Sequence, residues 1–333
     1  MSDVIISIIG AGVIGTSLGL ALKLNDDIPQ LVVHDKEAKN VRKAMEMKAF
    51  DKSEWNLINA TEPADLIVLA IPSAEIKPTL EAIAPYLKQD AIISDTNQTK
   101  GEIMTMAQGI LPDHVHFVGG NPIVSADPGP ENARSNLFEK RLYCLTPSPK
   151  VLPDAVQLLE DFVALIGATT FYLDPQEHDG LMSGISTLPT LLGVALLNGV
   201  SDQPSWVEMR KLASGLFSQV TSGVVGDPDS IAADILHKPE NTLRWLDIAL
   251  ESLTDLRTTI EANDPEVLAQ TLDKAFVTRH NWQKDFANKQ LSNLTEPMVD
   301  GRIDEPGVFQ RMLGFGGMFS SRRAREQQNK DKK

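Results

Sequence analysis

Residues 4–15 read Val4-Ile5-Ile6-Ser7-Ile8-Ile9-Gly10-Ala11-Gly12-Val13-Ile14-Gly15. Val4 to Ile9 is a nearly continuous apolar, β-branched run, the pattern of a strand buried on both faces of a parallel sheet. The spacing Gly-x-Gly-x-x-Gly follows at once, and Thr16 to Leu24 then reads as a helix. Alone, that spacing is a weak signal. Placed directly after a buried strand and opening a helix, it forms the turn that holds a dinucleotide pyrophosphate. Gly10 permits the tight turn, Gly12 lets the backbone approach the phosphates, and Gly15 lets the helix pack on the sheet. The first turn, with Val13 and Ile14, offers free N–H groups and positive potential to an anion.

Outward from this turn, strands and helices alternate. Leu31 to Val33 reads as a strand ending at His34-Asp35, Val41 to Lys48 as a helix, and Leu66 to Ile71 as a buried strand stopped by Pro72. Ile76 to Leu87 and Lys100 to Ala107 read as helices around a strand from Ala91 to Ser94. Val115 to Val118 is a strand running into Gly119-Gly120-Asn121-Pro122. Arg141 to Leu145 and Thr169 to Tyr172 flank a helix from Pro153 to Ile166. This alternation predicts right-handed crossovers and an α/β doubly wound parallel sheet of the Rossmann type over residues 1–173. Asp35 stands where an acid binds the ribose hydroxyls. Its carboxylate would repel a 2′-phosphate, so NAD is expected, with NADP as the alternative because Lys36, Arg42 and Lys43 lie close by. FAD, or a glycine turn holding no dinucleotide, are the competing readings.

After Leu173 the period changes. From Pro175 to about Lys289 only helical signatures occur, broken near Gln203-Pro204, Asp227-Pro228 and Asp264-Pro265, with Asp227, Asn241 and Asp264 as expected cap or turn residues. Leu246, Leu250, Leu253, Leu256 and Ile260 mark a long amphipathic helix. An all-α domain is expected over residues 174–300. Residues 301–333 form an extension whose charged end is expected to be disordered. Leu181 to Val200 has the length of a membrane span but carries Ser183, Ser186, Thr187, Pro189, Thr190 and Asn198, so a buried helix is expected.

The formal net charge of −14 and pI of about 4.9 argue against nucleic acid or an anionic membrane as partner. Cys144, the single cysteine, forms no intrachain disulfide and reads as a small apolar filler in a reducing compartment. The N-terminal apolar run has no basic region before it, so it reads as a strand and not a signal peptide, and a cytoplasmic protein is expected. No histidine–cysteine cluster has metal-ligand spacing, and no Gly-x-Ser-x-Gly elbow supports a hydrolase.

Four further patterns, in order over roughly residues 4 to 260, resemble the prephenate/arogenate dehydrogenase family of tyrosine biosynthesis. They are Asp65-Leu-Ile-Val-Leu-Ala-Ile71-Pro72 at the cofactor's edge, Ser94-Asp95-Thr96-Asn97-Gln98-Thr99-Lys100-Gly101, Gly120-Asn121-Pro122 with the segment to Leu145-Thr146-Pro147, and Glu177-His178-Asp179 leading into Ser186-Thr187-Leu188-Pro189-Thr190. The resemblance implies a Rossmann domain, with Ile71, Pro72 and Thr96 beside the cofactor, followed by a helical domain that forms a homodimer. It implies oxidation of a ring hydroxyl by hydride transfer while the ring loses carbon dioxide and becomes aromatic, the substrate being a small carboxylic acid. Such chemistry wants an acceptor for the hydroxyl proton and donors for the carboxylates.

The polar positions depart from that family. Asn121 stands where a histidine is usual; it can hold a hydroxyl but takes no proton near neutral pH. Gln98 stands for a serine, Thr187 and Thr190 for histidines, and Ser222 falls near an expected arginine. Arg134 and Arg210 are candidate replacement cations, and the Ala126 to Pro130 loop, flanked by Asp127, is a candidate cover. His178 reads as structural, bonded to a backbone group, or as a substrate-positioning residue. Lys100 reads either as an attractor of a substrate anion or as a solvated side chain. His114 and His116 alternate along one strand as rim or packing residues. The expected substrate is prephenate, arogenate or a related cyclic acid. The alternatives are a dehydrogenase or reductase of another substrate, such as an imine, and a non-catalytic NAD-binding protein. A β-hydroxy acid dehydrogenase is disfavoured because the lysine-bearing helix of that group is missing.

Overall fold

The computed structural model describes residues 4–25 and 30–287. The C-terminal extension expected from residue 301, and its expected disorder, fall outside these residues. The chain divides into two compact units, one running to Pro175 and the other starting at Gln176.

The first unit is built on eight strands: β1 (Ile5–Ile9), β2 (Gln30–His34), β3 (Lys52–Ser53), β4 (Leu66–Leu69), β5 (Ile92–Asp95), β6 (His116–Pro122), β7 (Leu142–Pro147) and β8 (Thr169–Tyr172). They lie in the order β3-β2-β1-β4-β5-β6-β7-β8. Six helices connect them: α1 (Val13–Leu22), α2 (Ala38–Glu46), α3 (Leu57–Thr61), α4 (Ser73–Ile83), α5 (Gly101–Ile110) and α6 (Pro153–Leu165). The chain builds outward from β1 to β3, then crosses back to place β4 on the other side of β1. That reversal opens a crevice at the carboxyl ends of β1 and β4, where ligands of such sheets bind.

The apolar strands serve two cores at once. In β4, Leu66 and Val68 join Ile6, Ile8, Leu18 and Leu31 on one face. Ile67 and Leu69 join Ile9, Val32, Ile76 and Ile93 on the other. All four β4 side chains are fully buried, which is why the strand shows no polar alternation. Truncating Leu66, Ile67 or Leu69 to alanine is expected to cost about 2–5 kcal/mol.

Several boundaries differ from the sequence expectation. Helices α1 and α2 start three residues earlier than predicted, because the periodic apolar signal begins only after the first turn. Strand β6 does not end at Val118 but runs through Pro122, because β7 lies antiparallel to it and pairs Gly119 with Thr146 and Asn121 with Cys144. The sheet is therefore mostly, not wholly, parallel. His114 sits ahead of β6 in a turn, its Nε2 3.3 Å from the Leu87 carbonyl, so it shares no strand face with His116. Strand β3 and helix α3, two and five residues long, carry too little pattern to be read from sequence.

The second unit is helical: α7 (Pro175–Met182), a π-helical turn over Ser183–Thr187, α8 (Leu188–Ser201), α9 (Trp206–Leu212), α10 (Gly215–Thr221), α11 (Pro228–His237), α12 (Pro239–Glu261) and α13 (Pro265–Ala287). Asp227 caps α11, its Oδ2 accepting from the Ser230 N–H at 2.9 Å. Asp264 Oδ1 accepts from Glu266 and Val267 N–H at 3.0 and 3.1 Å. Asn241 is not a cap: Pro239 opens α12, so Asn241 lies within its first turn.

The helix expected to be buried over 181–200 belongs to a continuous run, Pro175–Ser201, of mean hydropathy 1.6 in its most apolar window, only 11% of which is buried within the chain. By length and composition alone the run could cross a membrane. Leu250, Leu253 and Ile260 of α12 are likewise more than half exposed. The amphipathic patterns are real, but the helices of one chain leave much of the apolar surface uncovered.

Candidate functional site

Register brings the site residues of the first unit into one row. Ile9 is opposite His34 and Leu69, and Leu69 is opposite Asp95. The residues that follow these four, Gly10, Asp35, Ala70 and Thr96, therefore line the carboxyl edge of the sheet. Parallel β6 continues the edge with Gly119, Gly120 and Asn121, since Val118 is opposite Ser94.

Gly10 has φ +105°, and a Cβ there would sit 2.2 Å from the Ala70 carbonyl oxygen. Both the left-handed backbone and the approach of β4 exclude a side chain. A Cβ at Gly15 would meet the Gly10 carbonyl at 1.9 Å, whereas at Gly12 it would meet nothing within 4 Å. Gly12 thus faces open space at the start of α1. That helix has no side-chain cap and no acidic residue in its first turn. Its first intrahelical backbone bond is Thr16 N–H to the Gly12 carbonyl at 3.0 Å, so the N–H groups of Val13, Ile14 and Gly15 are left for a ligand. The cradle fits a dinucleotide pyrophosphate.

Asp35 does more than expected of a ribose ligand. Its Oδ2 accepts from the Ala11 N–H at 2.6 Å and its Oδ1 from the Glu37 N–H at 2.7 Å, so the carboxylate braces the glycine turn against β2. Remaining lone pairs are still open to hydroxyls. Lys36 is paired with Glu75 of α4 at 2.9 Å, and the Glu75 carboxylate raises its pKa. Ile71 packs near Gly10, Pro72 opens α4, and the Thr96 N–H bonds to the Leu69 carbonyl at 3.2 Å. Asn97 carries a buried Nδ2 with no hydrogen-bond partner, a spare donor beside the cofactor edge. Sequence reasoning quoted Asn97 but gave it no role.

Lys100 overturns one of its two sequence readings, that of a solvated side chain. Its side chain is fully buried, as is that of Asp95, and the two form an ion pair. The Lys100 ammonium also donates to the Gly120 carbonyl at 2.6 Å. Asp95 Oδ1 accepts from the Gly120 N–H at 3.1 Å, and Oδ2 from the Asn97 N–H at 2.9 Å. Lys100 is not solvated. Asp95 is the residue that sequence reasoning missed, although an acid ending a buried strand with a lysine five residues on was a readable signal. Removing either partner of such a pair is expected to cost about 3–5 kcal/mol, because the other charge is stranded.

Asn121 is 2% exposed and directly follows Gly120, the residue that this pair holds. Gln98 is exposed on the loop before α5. The loop after β6 leads to a short 3-10 turn, Pro130–Asn132, and the Arg134 N–H donates to Ser17 Oγ of α1 at 3.1 Å. The Arg134 backbone is thereby held beside α1, while the residue itself is exposed. Cys144 is buried, and burial raises its thiol pKa to about 11, in keeping with a filler. His116 is half-buried with an unpaired buried Nε2, and burial lowers its pKa.

The remaining candidates lie in the second unit. His178 is fully buried, with Nδ1 3.3 Å from Asp179 Oδ1. Thr187 ends the π-helical turn, and Thr190 Oγ1 donates to the Ser186 carbonyl at 3.1 Å. The turn after α10 packs on α8, since a Cβ at Gly223 would lie 3.2 Å from Thr190 Oγ1. Ser222 is thus brought near Thr190, while Arg210 on α9 is exposed. The π-helical turn is packed against α12. Trp245 of α12 donates its indole N–H to the Gly180 carbonyl at 3.0 Å, and its ring lies where a Gly184 Cβ would be, 2.6 Å away. Among the described residues no group of three or more His, Cys, Asp or Glu could hold a metal ion.

Residues 18–172 match the family model for the prephenate dehydrogenase nucleotide-binding domain, and residues 174–274 match that for the prephenate dehydrogenase dimerization domain. Prephenate dehydrogenase of Bacillus subtilis is 27% identical over 321 residues, covering 95% of this chain and 85% of that protein. Cyclohexadienyl dehydrogenase of Zymomonas mobilis is 27% identical over 268 residues, covering 80% and 91%. The crystal structure of A. aeolicus prephenate dehydrogenase with hydroxyphenyl propionate and NAD+ superposes with a TM-score of 0.76 at 23% identity, covering 84% of this chain and 99% of that one. With a nucleotide-binding half followed by a dimerization half, matched over most of its length, this chain belongs to the prephenate dehydrogenase family.

Proposed function

We propose that the protein is an NAD-dependent dehydrogenase that oxidises prephenate or a closely related cyclohexadienyl acid with loss of carbon dioxide. The observation that carries this reading is the complete cofactor cradle at the switch point of a chain of this family, with Gly12 facing open space and an uncapped α1. The relatives are dehydrogenases of this substrate class, and NAD+ is bound in the A. aeolicus enzyme.

Bound NAD+ would supply the hydride acceptor. The glycine turn and the first N–H groups of α1 would hold its pyrophosphate, Asp35 its ribose, and Ile71, Pro72 and Thr96 would flank it. In the overall reaction the carbinol carbon gives up its hydride, the ring carboxylate leaves as carbon dioxide with its bonding pair entering the ring, and the ring becomes aromatic, the hydroxyl ending as a phenol that carries its proton. Asn121 is assigned the substrate hydroxyl, which its amide orients by hydrogen bonding without removing the proton. Gln98, Thr187 and Thr190 are assigned neutral hydrogen bonds to the substrate's oxygen atoms, and His178 a positioning role. Arg134, tethered to α1, is the cation we assign to a carboxylate in preference to Arg210.

A dimer formed through the helical unit belongs to the same reading. It is supported by the match to a dimerization domain and by the uncovered apolar surface of Pro175–Ser201 and α12. In this reading the protein works in the cytoplasm. Incubation with NAD+ and prephenate or arogenate, following reduced nicotinamide, tests the activity, and light scattering in detergent-free buffer tests the dimer. A reaction with neither acid, or a monomer mass, would overturn the corresponding statement.

The neutral set Gln98, Asn121, Thr187 and Thr190 favours a second reading, a dehydrogenase or reductase of another substrate on the same frame. Oxidation of reduced cofactor by a keto acid or imine, with neither cyclohexadienyl acid turned over, would establish it.

A further inference from the structure

The Asp95–Lys100 pair meets the backbone at one residue. Lys100 donates to the Gly120 carbonyl at 2.6 Å while Asp95 accepts from the Gly120 N–H at 3.1 Å. Both polar groups of a single peptide residue are thus held by two opposite charges with no exposure to solvent. The next residue is Asn121. The same carboxylate accepts from the Asn97 N–H at 2.9 Å and so also fixes the loop that carries Thr96 and Gln98. The glycines make the arrangement sterically feasible. A Cβ at Gly119 would sit 2.3 Å from Thr146 Oγ1 and 3.1 Å from Lys100 Cδ, and one at Gly120 would sit 2.6 Å from the Asp95 carbonyl oxygen. A lysine in this place cannot turn to a substrate carboxylate without leaving a buried aspartate uncompensated.

We propose that Asp95 and Lys100 are a positioning pair that clamps Gly120 and thereby sets the depth and orientation of Asn121 relative to the cofactor edge. Lys100 acts through the backbone and does not bind substrate. The inference rests on the proposed function in one respect, that Asn121 orients the substrate hydroxyl. A displaced hydroxyl lowers turnover without loosening either ligand, and a shift of about 1 Å costs on the order of 100-fold in rate.

The test uses Lys100→Met, which keeps most of the length of the side chain and removes its charge, and the double variant Asp95→Asn/Lys100→Met, which removes both charges and guards against misfolding of the single one. Three readouts are taken on folded protein: kcat and KM with prephenate, the Kd for NADH by fluorescence, and backbone amide exchange at Gly120 and Asn121 by NMR. The clamp predicts kcat lower by about 10-fold or more in both variants, KM and Kd within about 2-fold, and faster exchange at the two amides. An increase in KM with kcat intact would identify Lys100 as a substrate ligand and overturn the proposal. Unchanged kcat in the folded double variant would reduce the pair to a structural one and overturn it as well. If the unaltered protein turns over neither prephenate nor arogenate, the function reading fails by itself. Amide exchange then decides the clamp, and unchanged protection at Asn121 contradicts it.

Discussion

Replacing Gly12 with alanine separates cofactor binding from folding. At this residue φ is −73° and ψ −167°, an extended conformation open to any L-residue, and the new methyl meets no atom of the protein within 4 Å. Alanine is a poorer helix N-cap than glycine by up to about 1 kcal/mol. The smaller entropy of its unfolded chain returns about 0.4–1 kcal/mol. Stability should therefore stay within about 1 kcal/mol of the unaltered protein. The methyl, however, occupies the space through which the phosphates approach the N–H groups of α1. Loss of one charge-assisted hydrogen bond costs about 1.5–3 kcal/mol, equivalent to about 10- to 150-fold in affinity. NADH titration followed by fluorescence, paired with thermal unfolding, reads both quantities. Gly10→Ala serves as the contrast: with φ +105° and a 2.2 Å clash against Ala70, it should unfold at clearly lower temperature. A Gly12→Ala variant that binds NADH as tightly as the parent would refute the placement of the pyrophosphate.

Other perturbations test the rest of the structure. Gly184→Ala drives a methyl into the Trp245 ring, and should destabilise the helical unit by about 1–3 kcal/mol in thermal unfolding; no change would contradict the packing of Trp245 against the π-helical turn. Burial opposes ionisation of Asp51, but the Lys23 ammonium and the Leu31 N–H outweigh it and hold its pKa below the usual carboxylate range. Its contribution is therefore present above about pH 3.9, the ordinary value for an aspartate, and lost as pH falls through the lower folded value. Asp51→Asn should cost no more than about 1 kcal/mol at neutral pH, given solvent screening, and nothing in strong acid, measured by denaturant titration at both pH values. Cys144, with its pKa raised to about 11 by burial, should resist iodoacetamide at pH 8 in the folded protein and react after denaturation, as mass spectrometry would show.

What was legible in the sequence followed from residues whose own chemistry dictates a backbone state. Gly10, Gly12 and Gly15 after a β-branched run announce a strand, a turn and a helix, and the continuous apolar character of Leu66 to Leu69 announces a strand covered on both faces. The strand through Gly119 to Pro122 was not legible, because its pairing partner, β7, lies some twenty residues away and only tertiary contact extends β6. Lys100 was misread for a related reason. A lysine at a helix start reads as solvated unless its buried counter-ion is identified, and Asp95 looked like a loop residue at the end of a short strand. In the helical unit, periodicity correctly marked Leu250, Leu253 and Ile260 as one stripe but gave no indication of what covers it. A stripe destined for a second chain and one destined for the chain's own core obey the same spacing.

The central claim is that the glycine cradle delivers a nicotinamide to a cyclohexadienyl acid. Its most direct test is a single progress curve, purified protein with NAD+ and prephenate, recording reduced nicotinamide and carbon dioxide together, repeated with arogenate. Equal amounts of both products with either acid, formed more slowly by Gly12→Ala at limiting NAD+, are the predicted result. Tight NADH binding with no turnover of prephenate or arogenate would contradict it.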